Sequence, residues 1–477
     1  MSMHTSGRGV PTREEVCFST MLNVTVKSHR PYLRADASIQ KLFVMLKMAP
    51  SAEASTSRPR LDLALVLDTS GSMRERAPGL EAPPEESPPA GLVDKLLHLV
   101  RPGSSKLDIA TEAARRLLQS PHLQTEDTVS IIQFDDSSTV LATGRAGADR
   151  AQLLEAVNRL QQFSGGTQMA LGLQNAQREL TDAADATRTV FLLTDGQAVD
   201  EEACRRAAAD LAQLRARIVA LGVGEEYNED LLADLCSATG GRPYDFRDMT
   251  LLPRILEDEL GSAIRQVVAD VQVTVKTVRD VKLVSATRVY PSLADLDPGQ
   301  TPLRLGSLEA GDHTVFVLEL DVPARPAVRS RLAQLGVTYL VPAQGYRGEV
   351  PPVDLVVEFT AEEALAASVD AEVMGYVQQR NVDNLVRQAT AQAGTNPQQA
   401  AKTLQVARSM TQRLGNRGMT VALARAEEEL HGSGTISVGT RKTIKVGART
   451  QTMKVDSPDA TPQNVPSQDE IRRLTGA

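Results

Sequence analysis

The chain has 477 residues, 42% of them hydrophobic, enough for two or three cores of ordinary domain size. Its formal net charge of -8 argues against a general nucleic-acid or anionic-membrane binder. Three widely spaced cysteines, Cys17, Cys204 and Cys236, form neither a disulfide framework nor a CxxC metal pair, and are expected as buried thiols.

Residues 1–15 are polar and are expected to be disordered. They lack the apolar stretch of a secretory signal, and a run of about 18 apolar residues occurs nowhere, so no membrane span and a cytoplasmic location are expected. Residues 16–58 contain two alternating stretches, VCFSTMLNVTV and KLFVMLKM, which predict strands, and then the linker SAEASTSRPR. From 61 to 248 apolar runs such as LDLALVLD, FLLTD and IVALGVG alternate with amphipathic helical segments. Short, wholly apolar strands are those of a parallel sheet covered on both faces, so the pattern predicts a doubly wound, Rossmann-like α/β domain.

Residues 249–267 read as a connecting helix. Residues 268–360 return to period-2 alternation between Pro- and Gly-containing turns, as in VQVTVKTV and HTVFVLELDV, and predict an antiparallel sandwich. The early strands are too few to stand alone, so they are expected to complete this later sheet, with the α/β domain inserted in a split β-sandwich. Residues 361–432 predict a helical segment broken near GTNP, and 433–477 a flexible, Thr-containing tail.

In an open α/β sheet the loops at the carboxyl ends of the strands line the ligand crevice. Three such loops carry oxygen donors. LALVLDTSGSM ends its apolar run in Asp68, followed by Ser70 and Ser72, with Gly71 permitting close backbone approach. FSGGTQ presents Thr167 after two glycines, and FLLTDGQ ends its strand in Asp195. Two carboxylates and three hydroxyls are hard donors, suited to Mg²⁺, Mn²⁺ or Ca²⁺ rather than zinc or copper, and these loops hold neither His nor Cys. Taken singly, each residue could equally cap the helix that follows it. Taken together, they predict a divalent-metal site.

Asp68-x-Ser70-x-Ser72, Gly-Gly-Thr167 and Thr-Asp195-Gly, in this order on an α/β pattern, resemble the metal-ion-dependent adhesion site of von Willebrand factor A (VWA) domains. The resemblance covers roughly 61–248. It implies that Ser70, Ser72 and Thr167 coordinate a cation directly or through water, and that Asp68 and Asp195 often act through water. It also implies a non-enzymatic interaction module, or scaffold, whose cation (Mg²⁺ foremost) takes an Asp or Glu carboxylate from a protein partner. The flanking β segments and following helices resemble bacterial cytosolic VWA proteins and, more distantly, the inter-alpha-trypsin-inhibitor heavy chains. Such bacterial proteins are often associated with Ser/Thr kinases, phosphatases or AAA+ ATPases, which implies a role in signalling or assembly.

Compact VWA domains join the first loop to the first helix by a short connection, whereas here 73–105 intervenes, Pro- and Glu-rich in its first half. It reads either as a solvated insertion or as a flap placing Glu81, Glu85 or Glu86 over the site. In the tail, TIKV at 443–446 is echoed by TMKV at 452–455. The segment reads either as a β-prone addition to a sheet or as a phosphorylatable stretch, with Thr440, Thr443, Thr450 and Thr452 open to a Ser/Thr kinase and a phosphothreonine-binding domain.

Two other function classes compete. A metal-dependent phosphohydrolase would use Asp68 as nucleophile, but needs a second Asp two residues on, where this chain has Ser70. No GxxxxGK[ST] loop, GxSxG elbow or dinucleotide fingerprint occurs at a suitable junction, so no catalytic residue is assigned. A surface adhesin is the third reading, disfavoured by the missing signal.

Overall fold

A computed structural model describes residues 15–18, 21–56, 58–77, 103–180, 185–246 and 248–455. Four strands come first: β1 (Glu15–Phe18), β2 (Leu22–Ser28), β3 (Tyr32–Arg34) and β4 (Ile39–Pro50). β2 buries Leu22, Val24 and Val26 at alternate positions. Such a face needs cover from another layer.

The α/β domain follows. Its sheet consists of β5 (Arg60–Asp68), β6 (Thr128–Phe134), β7 (Ser138–Arg145), β8 (Ala186–Thr194), β9 (Ala216–Val223) and β10 (Arg242–Phe246), in the order β10-β9-β8-β5-β6-β7. Neighbours are parallel except β7, which runs antiparallel to β6. Helices α1 (Lys106–Leu118), α2 (Arg150–Arg159) and α6 (Leu252–Ile264) cover one face. Helices α3 (Met169–Glu179), α4 (Glu201–Gln213) and α5 (Glu229–Thr239) cover the other. β5 serves both faces. Leu61, Leu63, Leu65 and Leu67 join the first core, and Ala64 and Val66 the second. The chain leaves β5 toward β6 on one side and later returns to β8 on the other. The carboxyl ends of β5 and β8 therefore border the point where strand order reverses, the place where open α/β sheets bind ligands.

Seven strands follow: β11 (Gln266–Thr277), β12 (Lys282–Tyr290), β13 (Ala294–Leu296), β14 (Leu303–Glu309), β15 (Thr314–Pro323), β16 (Arg329–Val341) and β17 (Tyr346–Thr360). β4 pairs antiparallel with β15 from Thr314↔Met48 to Pro323↔Ile39, giving a sheet of order β1-β2-β4-β15-β12-β13. A second sheet, β14-β11-β16-β17-β3, also joins early and late strands. Val24, Leu46 and Phe316 of the first sheet share one core with Val273, Leu335 and Val353 of the second. The two strand groups, separated by the whole α/β domain, thus bury each other's apolar faces.

Just past β2, His29 is buried and accepts the Phe43 N–H on Nδ1 at 3.0 Å, while its Nε2 has no hydrogen-bond partner among the described residues. Burial, helped by the charge of Arg30, pushes its pKa from 6.5 down to about 3. Between those values the unfolded chain binds a proton that the folded chain does not. Stability is therefore present above the unfolded pKa and lost as pH falls, by up to ~1.4 kcal/mol per pH unit. In His29→Asn, Oδ1 can accept the same N–H without titrating. Urea unfolding is expected to show the stability of the native chain, relative to this variant, declining steadily from pH 6.5 to 4.5; a constant difference would contradict it.

Four longer helices complete the described chain: α7 (Ala371–Gln392), α8 (Pro397–Arg413), α9 (Arg417–Ser433) and α10 (Val438–Thr450). Asn396, Asn416 and Ser437 cap α8, α9 and α10 by accepting backbone N–H groups of their first turns. The expectation of a flexible tail over 433–477 is corrected for 438–450, where α10 is a helix; residues 456–477 lie outside the described residues. The two glycines and β-branched residues of α10 favour helix weakly. Burial of Ile444 and Ala448 against α7–α9 outweighs that preference. Lys442 is buried too, donating to the Tyr227 carbonyl and lying 3.6 Å from that ring's centroid. No helix among the described residues is long and apolar enough to cross a membrane.

Candidate metal centre

Asp68 ends β5 with its carboxylate fully buried. Oδ1 accepts the Ser70 N–H at 2.8 Å, and Oδ2 accepts the Thr194 hydroxyl at 2.6 Å. Burial pushes its pKa up to about 6; those two hydrogen bonds oppose the shift, and the charge of Asp195 adds to it. Next to it, Thr69 pins the loop to the end of β6, donating its N–H to the Phe134 carbonyl at 2.9 Å and its hydroxyl to Gln133 Oε1 at 3.0 Å.

The remaining donors lie close by. Ser70 Oγ and Ser72 Oγ are 3.1 Å apart, and Ser72 Oγ donates to Asp195 Oδ1 at 2.7 Å. Gly71 N–H donates to the Gly165 carbonyl at 3.0 Å, which locks the first loop against the loop carrying Thr167. Asp136 packs over that second loop so closely that a Cβ on Gly165 or Gly166 would come within 2.7 or 2.4 Å of its carboxylate. A side chain at either position would have to push the Asp136 carboxylate aside. A Cβ on Gly196 would lie 3.0 Å from Thr167 Oγ1, which sets Thr167 beside the Asp195 loop. The structure therefore brings Asp68, Ser70, Ser72, Thr167 and Asp195 together from three loops.

Sequence reasoning missed Lys106, the first residue of α1. Its ammonium donates to Asp195 Oδ2 at 2.7 Å, to Glu75 Oε2 at 3.1 Å and to the Ser72 carbonyl at 3.3 Å. Partial burial works against its charge, but the carboxylates of Asp195 and Glu75 outweigh that and hold its pKa above the usual lysine value. The supports Thr194 and Asp136 were also missed. FDDSS at the end of β6 was the available signal for Asp136, since it too places a carboxylate at a strand's carboxyl end.

Glu81, Glu85 and Glu86 lie outside the described residues. The four threonines are not on a loose chain. Thr440 is buried with its hydroxyl 2.6 Å from Glu429 Oε1, and Thr443 is exposed on α10, donating to the Gly439 carbonyl. Thr450 donates to the Val446 carbonyl, and Thr452 to the Pro291 carbonyl.

Residues 63–197, which run from inside β5 past the Asp195 loop, match the family model of the von Willebrand factor type A domain. The α/β domain is a von Willebrand factor type A domain. The fold of the longer chain recurs as well. A von Willebrand factor type A protein from Catenulispora acidiphila superposes with a TM-score of 0.73 at 17% identity, covering 92% of this chain and 100% of its own. The ArnB paralog VWA2 from Sulfolobus acidocaldarius gives 0.55 at 15% identity, covering 91% and 100%. At these identities the likeness is one of fold. No curated protein sequence matches the chain.

The A domain's donor set fits a hard divalent cation: all five side chains offer oxygen, two as carboxylates. Among the described residues no three His, Cys, Asp or Glu side chains gather as a metal cluster, so hydroxyls make up the balance of these donors.

Proposed function

We propose that the A domain holds a divalent cation, Mg²⁺ foremost with Mn²⁺ or Ca²⁺ as substitutes, through Asp68, Ser70, Ser72, Thr167 and Asp195, and uses it to bind an Asp or Glu carboxylate of a protein partner. The observation that carries this reading is the chain of contacts Asp68–Ser70–Ser72–Asp195 at the switch point of the sheet, with Thr167 beside it. A bound cation supplies positive charge and a coordination position for an anionic oxygen. Asp68 brings a negative charge that Thr194 and the Ser70 N–H hold in place. Asp195 orients the Ser72 hydroxyl, and the Gly71–Gly165 contact sets the spacing of the two loops.

The role is binding rather than catalysis: Ser70 stands where a phosphohydrolase of this type would need its second Asp. On this reading the chain is a scaffold that carries its A domain as an insert in a split β-sandwich. Affinity capture from the source cell tests it. A partner is expected to be retained in Mg²⁺, released by EDTA and recovered when Mg²⁺ is restored. Retention that excess EDTA leaves unchanged would overturn the proposal.

A further inference from the structure

We propose that Lys106 is a tethered cation that competes with the divalent ion for Asp195 and so sets how much free ion the A domain needs. This rests on the cation reading above. Lys106 does not reach the centre by chance of a flexible side chain. Its backbone N–H donates to the Glu75 carbonyl at 3.0 Å, and the Ala77 N–H donates to the Ser104 carbonyl at 3.0 Å. Arg76 bridges Ser105 antiparallel, and Ser105 caps α1 through a capping box with Asp108. The residues just after the first loop are thus zipped to the start of α1, and the origin of the Lys106 side chain is fixed by the chain that carries Ser72.

The ammonium is mostly buried, 12% exposed, against an Asp195 carboxylate that is 0% exposed. Both oxygens of Asp195 are engaged, Oδ1 by the Ser72 hydroxyl and Oδ2 by Lys106. Glu75, the other carboxylate on the ammonium, is 68% exposed and contributes little. Lys106 therefore already neutralises one of the centre's two carboxylates. It also holds a positive charge on Asp195, a group a divalent ion would share, and on the Ser72 carbonyl, in the same residue as the Ser72 hydroxyl donor. Two cations on the same ligands repel, and the repulsion is poorly screened where water is excluded.

Mn²⁺ titration of the full chain by calorimetry is the test. Lys106→Met is expected to lower the Mn²⁺ dissociation constant by about tenfold or more, while Lys106→Arg, which keeps the charge, stays near the native value. Glu75→Gln serves as a control and is expected to leave it unchanged. In EDTA, Lys106→Met is expected to melt lower than the native chain, because Asp195 is then buried without a cation. Saturating Mn²⁺ is expected to restore the melting temperature, which shows that the variant is folded. Unchanged or weaker Mn²⁺ binding by such a restored variant would overturn the inference and leave the cation reading standing. A native chain that binds no Mn²⁺ would overturn both.

Discussion

Replacing Asp68 with Asn is expected to abolish divalent-cation binding while making the cation-free protein more stable. The two effects have one cause. The Asp68 carboxylate is fully buried, and its pKa is raised from 3.8 to about 6, chiefly by burial. Its folded state therefore favours the neutral form. Below about pH 4 both folded and unfolded chains carry the proton. Between there and about pH 6 only the folded chain does, so stability falls as pH rises through this window and stays lower above it. The resulting penalty at neutral pH is on the order of 1–3 kcal/mol. Asn keeps an acceptor for the Ser70 N–H and the shape of the side chain, and removes the charge. In EDTA at pH 7.5, Asp68→Asn is expected to unfold at higher urea than the native chain, with the difference shrinking toward pH 4. Mn²⁺ is expected to raise the melting temperature of the native chain and leave the variant's unmoved. A variant that still takes up Mn²⁺ with native affinity would show that Asp68 merely caps the loop. Gain of stability with loss of binding is the trade-off expected where a fold keeps an unfavourable buried charge for function.

What was legible in the sequence depended on how local each signal was. LALVLD is apolar until Asp68 and FLLTD until Thr194 and Asp195, because β5 and β8 are covered by helices on both faces and stop where the sheet meets the crevice. That pattern needs no knowledge of the rest of the fold. Period-2 alternation likewise reveals β4 and β15 as strands, although their pairing spans the α/β domain. The Lys106–Asp195 contact was not legible, because 89 residues separate the pair and only the order of β5, α1 and β8 brings them together. α10 was misread for a related reason. GTRKTIKVGART has weak intrinsic helicity, and the surface that stabilises it comes from α7, α8 and α9. A nonlocal cause of this kind leaves no periodic trace in the segment itself.

The same nonlocality governs how the A domain is held on the β sheets, and Glu259 is where it is most exposed to test. Glu259 lies on α6, 2% exposed, with Oε2 on the Arg217 guanidinium at 3.1 Å and Oε1 on the Tyr244 hydroxyl at 2.5 Å. Arg242 is 3.6 Å away, and Arg217 also donates to Ser262, which passes its own hydroxyl to Glu309 of β14. Beside them Arg288 of β12, buried and donating to the Gly240 and Gly241 carbonyls and to Ser292, has its pKa pushed down to about 9 by burial and by Arg242 and Arg217. Positive charge is thus crowded at this boundary, and Glu259 is the buried acid that offsets it. Glu259→Ala leaves the largely buried Arg217 without its carboxylate. It is expected to cost about 3–5 kcal/mol, the range for breaking a buried ion pair from one side. The measurement is the urea midpoint of the first unfolding transition, since a chain with several cores need not unfold in one step. The loss is expected to persist in 1 M salt, because ions in solution do not screen a buried pair. Glu259→Met combined with Arg217→Met is expected to recover part of it, since removing both charges also removes the cost of burying them. A single variant as stable as the native chain would mean that water or neighbouring acids already serve these arginines, and that the boundary is held by apolar packing alone.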